Sequence, residues 1–188
     1  RIGISLDLAH LACSWEDPSQ ALVQLGRAGL HVVKVQLSAA LEVDKPAAAG
    51  EALRPYAKAR LRLRAGGNSG QVADDVQAAL AAQLPGPWRL HCHVPMHAEP
   101  EPPLSTTVPA LRDALDVLIG GSTAVCDKFD VEACTGDVPP GRTRDIAEAT
   151  AHIAAELRFC RDELLARGLV PFAADDEKAL PRWSGTWP

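Results

Sequence analysis

No run of apolar residues in this chain approaches the roughly 20 needed to span a bilayer, so the sequence predicts no membrane span. CxxC pairs are also missing. The five cysteines, Cys13, Cys92, Cys126, Cys134 and Cys160, are odd in number and widely spaced. That argues against a disulfide framework and a zinc knuckle, and predicts free thiols in a reducing cytoplasm. A basic excess is lacking too: 19 Lys and Arg stand against 24 Asp and Glu, for a net charge of -5. The chain therefore carries no footprint of a nucleic-acid partner. Its one basic cluster, "KARLRLR" at Lys58 to Arg64, reads as a solvated loop. The first residues, "RIGISLDLAH", read as a strand rather than a signal peptide. They have no initiator Met, which fits a fragment of a longer chain.

What is present is an alternation of strand-like and helical runs. The 188 residues suffice for one domain with a real core, with few to spare for a second. "RIGISLDLAH", "LHVVKVQLS", "PWRLHCHVP" and "AVCDKFDVEACT" read as strands. "DPSQALVQLGRAG" reads as a helix with Asp17 as N-cap, Pro18 at its first position and Gly29 at its stop. Residues 39 to 68 read as a long irregular connection. "SGQVADDVQAALAAQL" has Val72, Val76, Leu80 and Leu84 at helical spacing. "STTVPALRDALDVLIGG" puts Leu111, Leu115 and Leu118 on one face, and a final long helix carries Ile146, Ile153, Leu157 and Leu164 on one stripe.

Four β-α units in series predict a parallel sheet. With no GxGxxG after the first strand, a dinucleotide-binding wound sheet loses support. Each strand has an oily face and a polar face: Ser5 and Asp7, Lys34 and Gln36, Arg89, His91 and His93, and Asp130 and Glu132. Polar groups crowding toward strand ends suit the interior of a (β/α)8 TIM barrel, whose C-terminal mouth carries active sites. The expectation is an α/β chain comprising the last four β-α units, a half barrel over residues 1–171, with a C-terminal tail at 172–188. A full barrel takes about 250 residues. The missing N-terminal half barrel would come from upstream sequence, a second polypeptide or a dimer mate.

Several residues have the chemistry of a site. In "LDLAH", Asp7 ends a strand and His10 follows three residues on, in the expected loop; both can reach one divalent ion, or Asp7 simply caps the loop. In "HCH", His91 and His93 lie about 6.6 Å apart on one strand face and can share an ion, or one bonds a carboxylate and the other faces water. In "FDVEACTGD", Glu132 points inward with Asp130 a step deeper and Asp137 in the loop. A buried carboxylate needs a metal or a lysine such as Lys34. The metal set is thus Asp7, His91, His93 and Glu132, with Glu132, His10 and Lys34 as catalytic candidates. Gln36, His97 and Asp137 are candidates for holding substrate. Mixed oxygen and nitrogen donors suit a divalent ion such as Zn, Mn or Mg.

These motifs resemble the xylose isomerase-like TIM barrel superfamily of sugar phosphate isomerases, epimerases and family 2 AP endonucleases. "LDLAH" resembles its strand-end Asp-x-x-His, and "FDVEACTGD" its last-strand Glu. The series "LDLAHLACSWEDP", "VVKVQLSAAL", "WRLHCHVPMHAEPEPPLSTT" and "FDVEACTGDVPP" is most similar to the EboE-type metabolite traffic branch. The chain departs from the superfamily in having Lys34 and Gln36 where a strand His is usual, and in lacking a further upstream Glu. The resemblance implies a metal-dependent isomerase or epimerase acting on a small-molecule sugar or polyol. Two alternatives stay open: a non-catalytic metabolite-binding or scaffold protein, favoured by Lys34 and Gln36, and a metal-dependent hydrolase, suggested by HxH.

Overall fold

In the computed structural model, residues 2–57, 63–65, 72–132 and 145–170 are described. Cys134, Asp137, the tail at 172–188 and most of the basic cluster at 58–64 lie outside them. Strand β1 (Ile4–Asp7) pairs in parallel with β2 (Val32–Leu37), setting Ser5 beside Lys34 and Asp7 beside Gln36. Helices α1 (Leu8–Cys13) and α2 (Pro18–Arg27) lie between them in sequence. Helix α2 starts as its sequence predicts: Asp17 accepts a bond of 2.8 Å from the Gln20 N–H, with Pro18 next. Gly29, at φ +71, supplies the left-handed turn after it.

Beyond Leu37 the chain passes the buried Ser38 and continues as β3 (Ala39–Val43). A short 3-10 turn at Pro46–Ala48, helix α3 (Gly50–Leu53) and a second turn at Arg54–Tyr56 follow. Next come β4 (Leu63–Ala65), β5 (Val72–Ala73), α4 (Val76–Ala81), β6 (Trp88–Val94), β7 (Leu104–Thr106), α5 (Val108–Ile119), β8 (Phe129–Val131) and α6 (Ile146–Ala166). The strands make two sheets. One is parallel, in the order β1-β2-β8; the other is antiparallel, in the order β5-β4-β6-β3-β7.

This corrects the half-barrel expectation: the described residues form no barrel and no series of four parallel β-α units. The third expected strand, β6, runs antiparallel against β3, pairing Arg89 with Glu42 and His93 with Ala40. The fourth, β8, pairs directly with β2. The physical reason lies in the period of two. A polar face opposite an oily face suits an antiparallel strand with one side covered as well as it suits a barrel strand. The extension past Ser38 also turns part of the expected irregular connection into β3, whose residues are almost all buried. Val72 belongs to a strand, so the next helix begins only at Val76, capped by Asp75.

The core sits between the sheets and α5. Trp88, Leu90, Leu41, Leu37 and Leu8 are buried with Leu111, Leu115 and Leu118 of α5, the face its spacing predicts. Helix α6 differs from its expected stripe. Ile146 is 87% exposed and Leu157 is 51% exposed, while Glu156 and Cys160 turn inward. Farther along, Arg167 donates to Asp116 of α5 at 2.6 Å and to Glu163 at 2.8 Å, and Arg112 of α5 donates to Glu163 at 2.8 Å. Positions 156, 160, 163 and 167 recur every three or four residues, so one rotation of the helix satisfies all four. Removing the Leu115 side chain as Leu115→Ala is expected to cost about 2–5 kcal/mol, whereas Leu157→Ala stays within about 0.5 kcal/mol. Urea denaturation measures both, and equal losses would contradict this assignment of the α6 face.

Candidate metal centre at the end of the parallel sheet

Asp7 is the last residue of β1 and the N-cap of α1. Its Oδ1 accepts from the His10 N–H at 3.0 Å and from the Ser38 hydroxyl at 2.8 Å. Ser38 in turn accepts from the Ala9 N–H at 3.0 Å. The capping bond starts α1 at once, so His10 stands on a helix and not in the expected loop. Its Nε2 lies 3.8 Å from Asp7 Oδ2, and its side chain is 61% exposed.

Glu132 directly follows β8 and extends its pairing, since its N–H donates to the Leu37 carbonyl at 3.0 Å. The side chain of Gln36 donates to Glu132 Oε2. The other oxygen, Oε1, lies 3.7 Å from His93 Nε2. Asp7, His93 and Glu132 thereby hold one ligand atom each within 4.8 Å of one another. The antiparallel sheet delivers the imidazole, and the parallel sheet delivers both carboxylates.

His91 is not one of these three. Its ring meets His10 edge-on at 3.8 Å between centroids and His93 at 5.5 Å. Its buried Nε2 has no hydrogen-bond partner among the described residues. Burial lowers its pKa below the ordinary 6.5, and the neighbouring His10 and His93 act in the same direction, against Asp7 and Glu132.

The remaining expected residues divide. Lys34 pairs with Asp130 at 2.7 Å rather than with Glu132. Both side chains are well exposed, so the pair contributes little. Gln36 is at the centre, on Glu132. His97 lies instead against α6, with Nδ1 2.7 Å from Glu156. Asp137 is outside the described residues. The sequence reading missed Ser38, which fixes Asp7, and the role of Arg89. The Arg89 guanidinium bonds Glu42 at 2.5 Å and the Ala12 carbonyl at 2.8 Å, and lies 3.7 Å over the Trp15 ring. The available signal was a lone Ser between two β-rich runs.

An open depression of about 410 Å³ reaches Asp7 and His10, with Ser5, Ser14 and Glu16 at its sides. A separate apolar cavity of about 300 Å³ beside Tyr56, Val94 and Leu104 contains none of these groups. Two carboxylates and an imidazole are donor types that could hold a divalent ion. No protein-family model, curated protein or solved structure matches the chain.

The depressed His91 value has a direct consequence for metal-free protein. Between that value and 6.5 the unfolded chain takes up a proton that the folded chain refuses, so stability falls as pH drops through 6.5. Denaturation midpoints of EDTA-treated protein at pH 7.5 and 5.5 should show this fall, and His91→Asn should make it shallower. An unchanged slope in that variant would contradict the burial assigned to His91.

Proposed function

We propose that the chain is a metal-dependent isomerase or epimerase acting on a sugar or related polyol. The carrying observation is the meeting of Asp7, His93 and Glu132 within 4.8 Å beside an exposed His10. The resemblance of "LDLAH" and "FDVEACTGD" to motifs of sugar isomerases and epimerases supports the same reading. A divalent ion held by these three residues would supply Lewis-acid polarisation of substrate oxygens. His10, at the rim of the depression, exchanges a proton with the substrate. His91 packs against the His10 ring and limits its orientations. Gln36 holds the Glu132 carboxylate in line with His93. Lys34 is engaged by Asp130 and has no part in this scheme. The free thiols of Cys126 and Cys160 fit a cytoplasmic setting. Among the described residues, no helix is long and apolar enough to cross a membrane.

One observation favours a second reading, a metabolite-binding protein without catalysis. Gln36 satisfies one Glu132 oxygen with a neutral donor, which requires no ion. The two readings separate under metal removal. On the enzymatic reading, purified protein carries a stoichiometric divalent metal by elemental analysis and interconverts polyol epimers or aldose–ketose pairs. Asp7→Asn or Glu132→Gln should then lower metal affinity at least tenfold and remove turnover. Metal content unchanged in both variants would refute the enzymatic reading. Polyol binding of equal affinity before and after chelation would favour the second.

A further inference from the structure

A second cluster lies outside the centre just described. Among the described residues, Glu156 is the only charged side chain that is buried, at 0% exposure. It comes from α6, and it accepts from the Met96 N–H through both oxygens, at 3.0 and 3.2 Å. Its Oε1 lies 2.7 Å from His97 Nδ1 and 3.9 Å from His152 Nε2. Among the described residues, no Lys or Arg comes within ion-pair distance of it. A buried carboxylate without compensating positive charge is strongly unfavourable. Among the described residues, the groups near Glu156 are two imidazoles, a backbone N–H and the Cys160 thiol. That thiol is pushed up to about 12, by burial first and then by the charges of Glu156 and Glu163, so at neutral pH it offers no thiolate.

The three side chains have the geometry of a ligand set. One ligand atom from each of His97, His152 and Glu156 lies within 4.8 Å of the other two. His152 and Glu156 are four apart on α6, so they project from the same face. His97 meets them from the segment after β6, its ring 4.9 Å from that of His152 and inclined by 61°. Ligands about 2.1 Å from a tetrahedral ion stand roughly 3.4 Å apart, and the separations of 2.7 and 3.9 Å bracket that spacing. A hydrogen bond donated by His97 Nδ1–H would account for the 2.7 Å contact alone. His152 faces the same oxygen at 3.9 Å, as its spacing of four from Glu156 allows.

We propose that His97, His152 and Glu156 form a second divalent-metal site, of the zinc class, that pins the segment after β6 to α6. Two imidazoles and a carboxylate make a three-ligand set with one open position, and the partly exposed His97 side lets water complete it. The ion supplies the positive charge that the buried carboxylate requires. It also fixes the end of the strand that carries His91 and His93.

The test uses the full chain with zinc, and cobalt as a coloured reporter. Asp7→Asn/His93→Ala silences the first centre. In that background, one equivalent of zinc should still bind, raise the melting temperature and give a cobalt spectrum with visible d–d bands. Adding His97→Ala, on the partly exposed side of the cluster, should weaken zinc at least tenfold and abolish both the melting shift and the bands. His152→Ala should do the same, with circular dichroism verifying its fold. If the Asp7→Asn/His93→Ala protein binds no zinc, or if His97→Ala leaves its zinc affinity and cobalt bands unchanged, the second site is overturned. Failure of the first centre reads differently: the unaltered chain would then bind one equivalent that Asp7→Asn/His93→Ala leaves intact.

Discussion

The Ser38 hydroxyl, 2.8 Å from the Asp7 carboxylate, holds the end of β1 against the point where the chain leaves one sheet for the other. Ser38 also receives the Ala9 N–H, and Asp7 receives the His10 N–H. Three polar contacts thus start α1, anchor β1 and let β2 run on into β3. Hydrogen bonds to a charged acceptor contribute about 1.5–3 kcal/mol each. The same carboxylate is a ligand candidate, so fold and site share one residue. Without that junction, β3 would lack its origin, β6 its partner, and the imidazoles their position over the parallel sheet.

The strand bearing the histidines is held at both ends by charge. At its start, Arg89 reaches Glu42 on the paired strand and caps the α1 carbonyl of Ala12, where a cation is favoured. Just past its end, the Met96 N–H is held by the buried Glu156 of α6. Between these anchors His91 packs on His10, and His93 faces Glu132. An arrangement fixed at both ends limits how far the imidazole moves relative to the two carboxylates. That pre-organisation is what a metal site demands of its scaffold.

Three residues of the candidate cluster were legible in the sequence, and the fold was less so. Asp7, His93 and Glu132 could be singled out because each ends or follows a β-rich run and carries ligand chemistry on the face opposite its oily neighbours. The pairing direction could not be read from the same pattern. Alternation gives a strand's faces but not its partner, so β6 read as parallel when it is antiparallel. Ser38 looked like the end of a strand, because the break there is marked by side-chain hydrogen bonding and not by Gly or Pro. On α6 the apolar stripe outvoted His152 and Glu156, although their spacing of four was visible. Ion pairs with Asp116 and Arg112 on α5 help set the rotation of that helix, and no reading of one segment alone contains them.

The proposed centre requires an ion held between the two sheets. Anomalous diffraction from crystals grown with zinc, recorded on either side of the zinc edge, locates such an ion without assumptions about activity. The expected result is a peak about 2.1 Å from a carboxylate oxygen of Asp7, from His93 Nε2 and from a carboxylate oxygen of Glu132. A map with no peak among these three residues, at zinc concentrations that load the protein in solution, would contradict it.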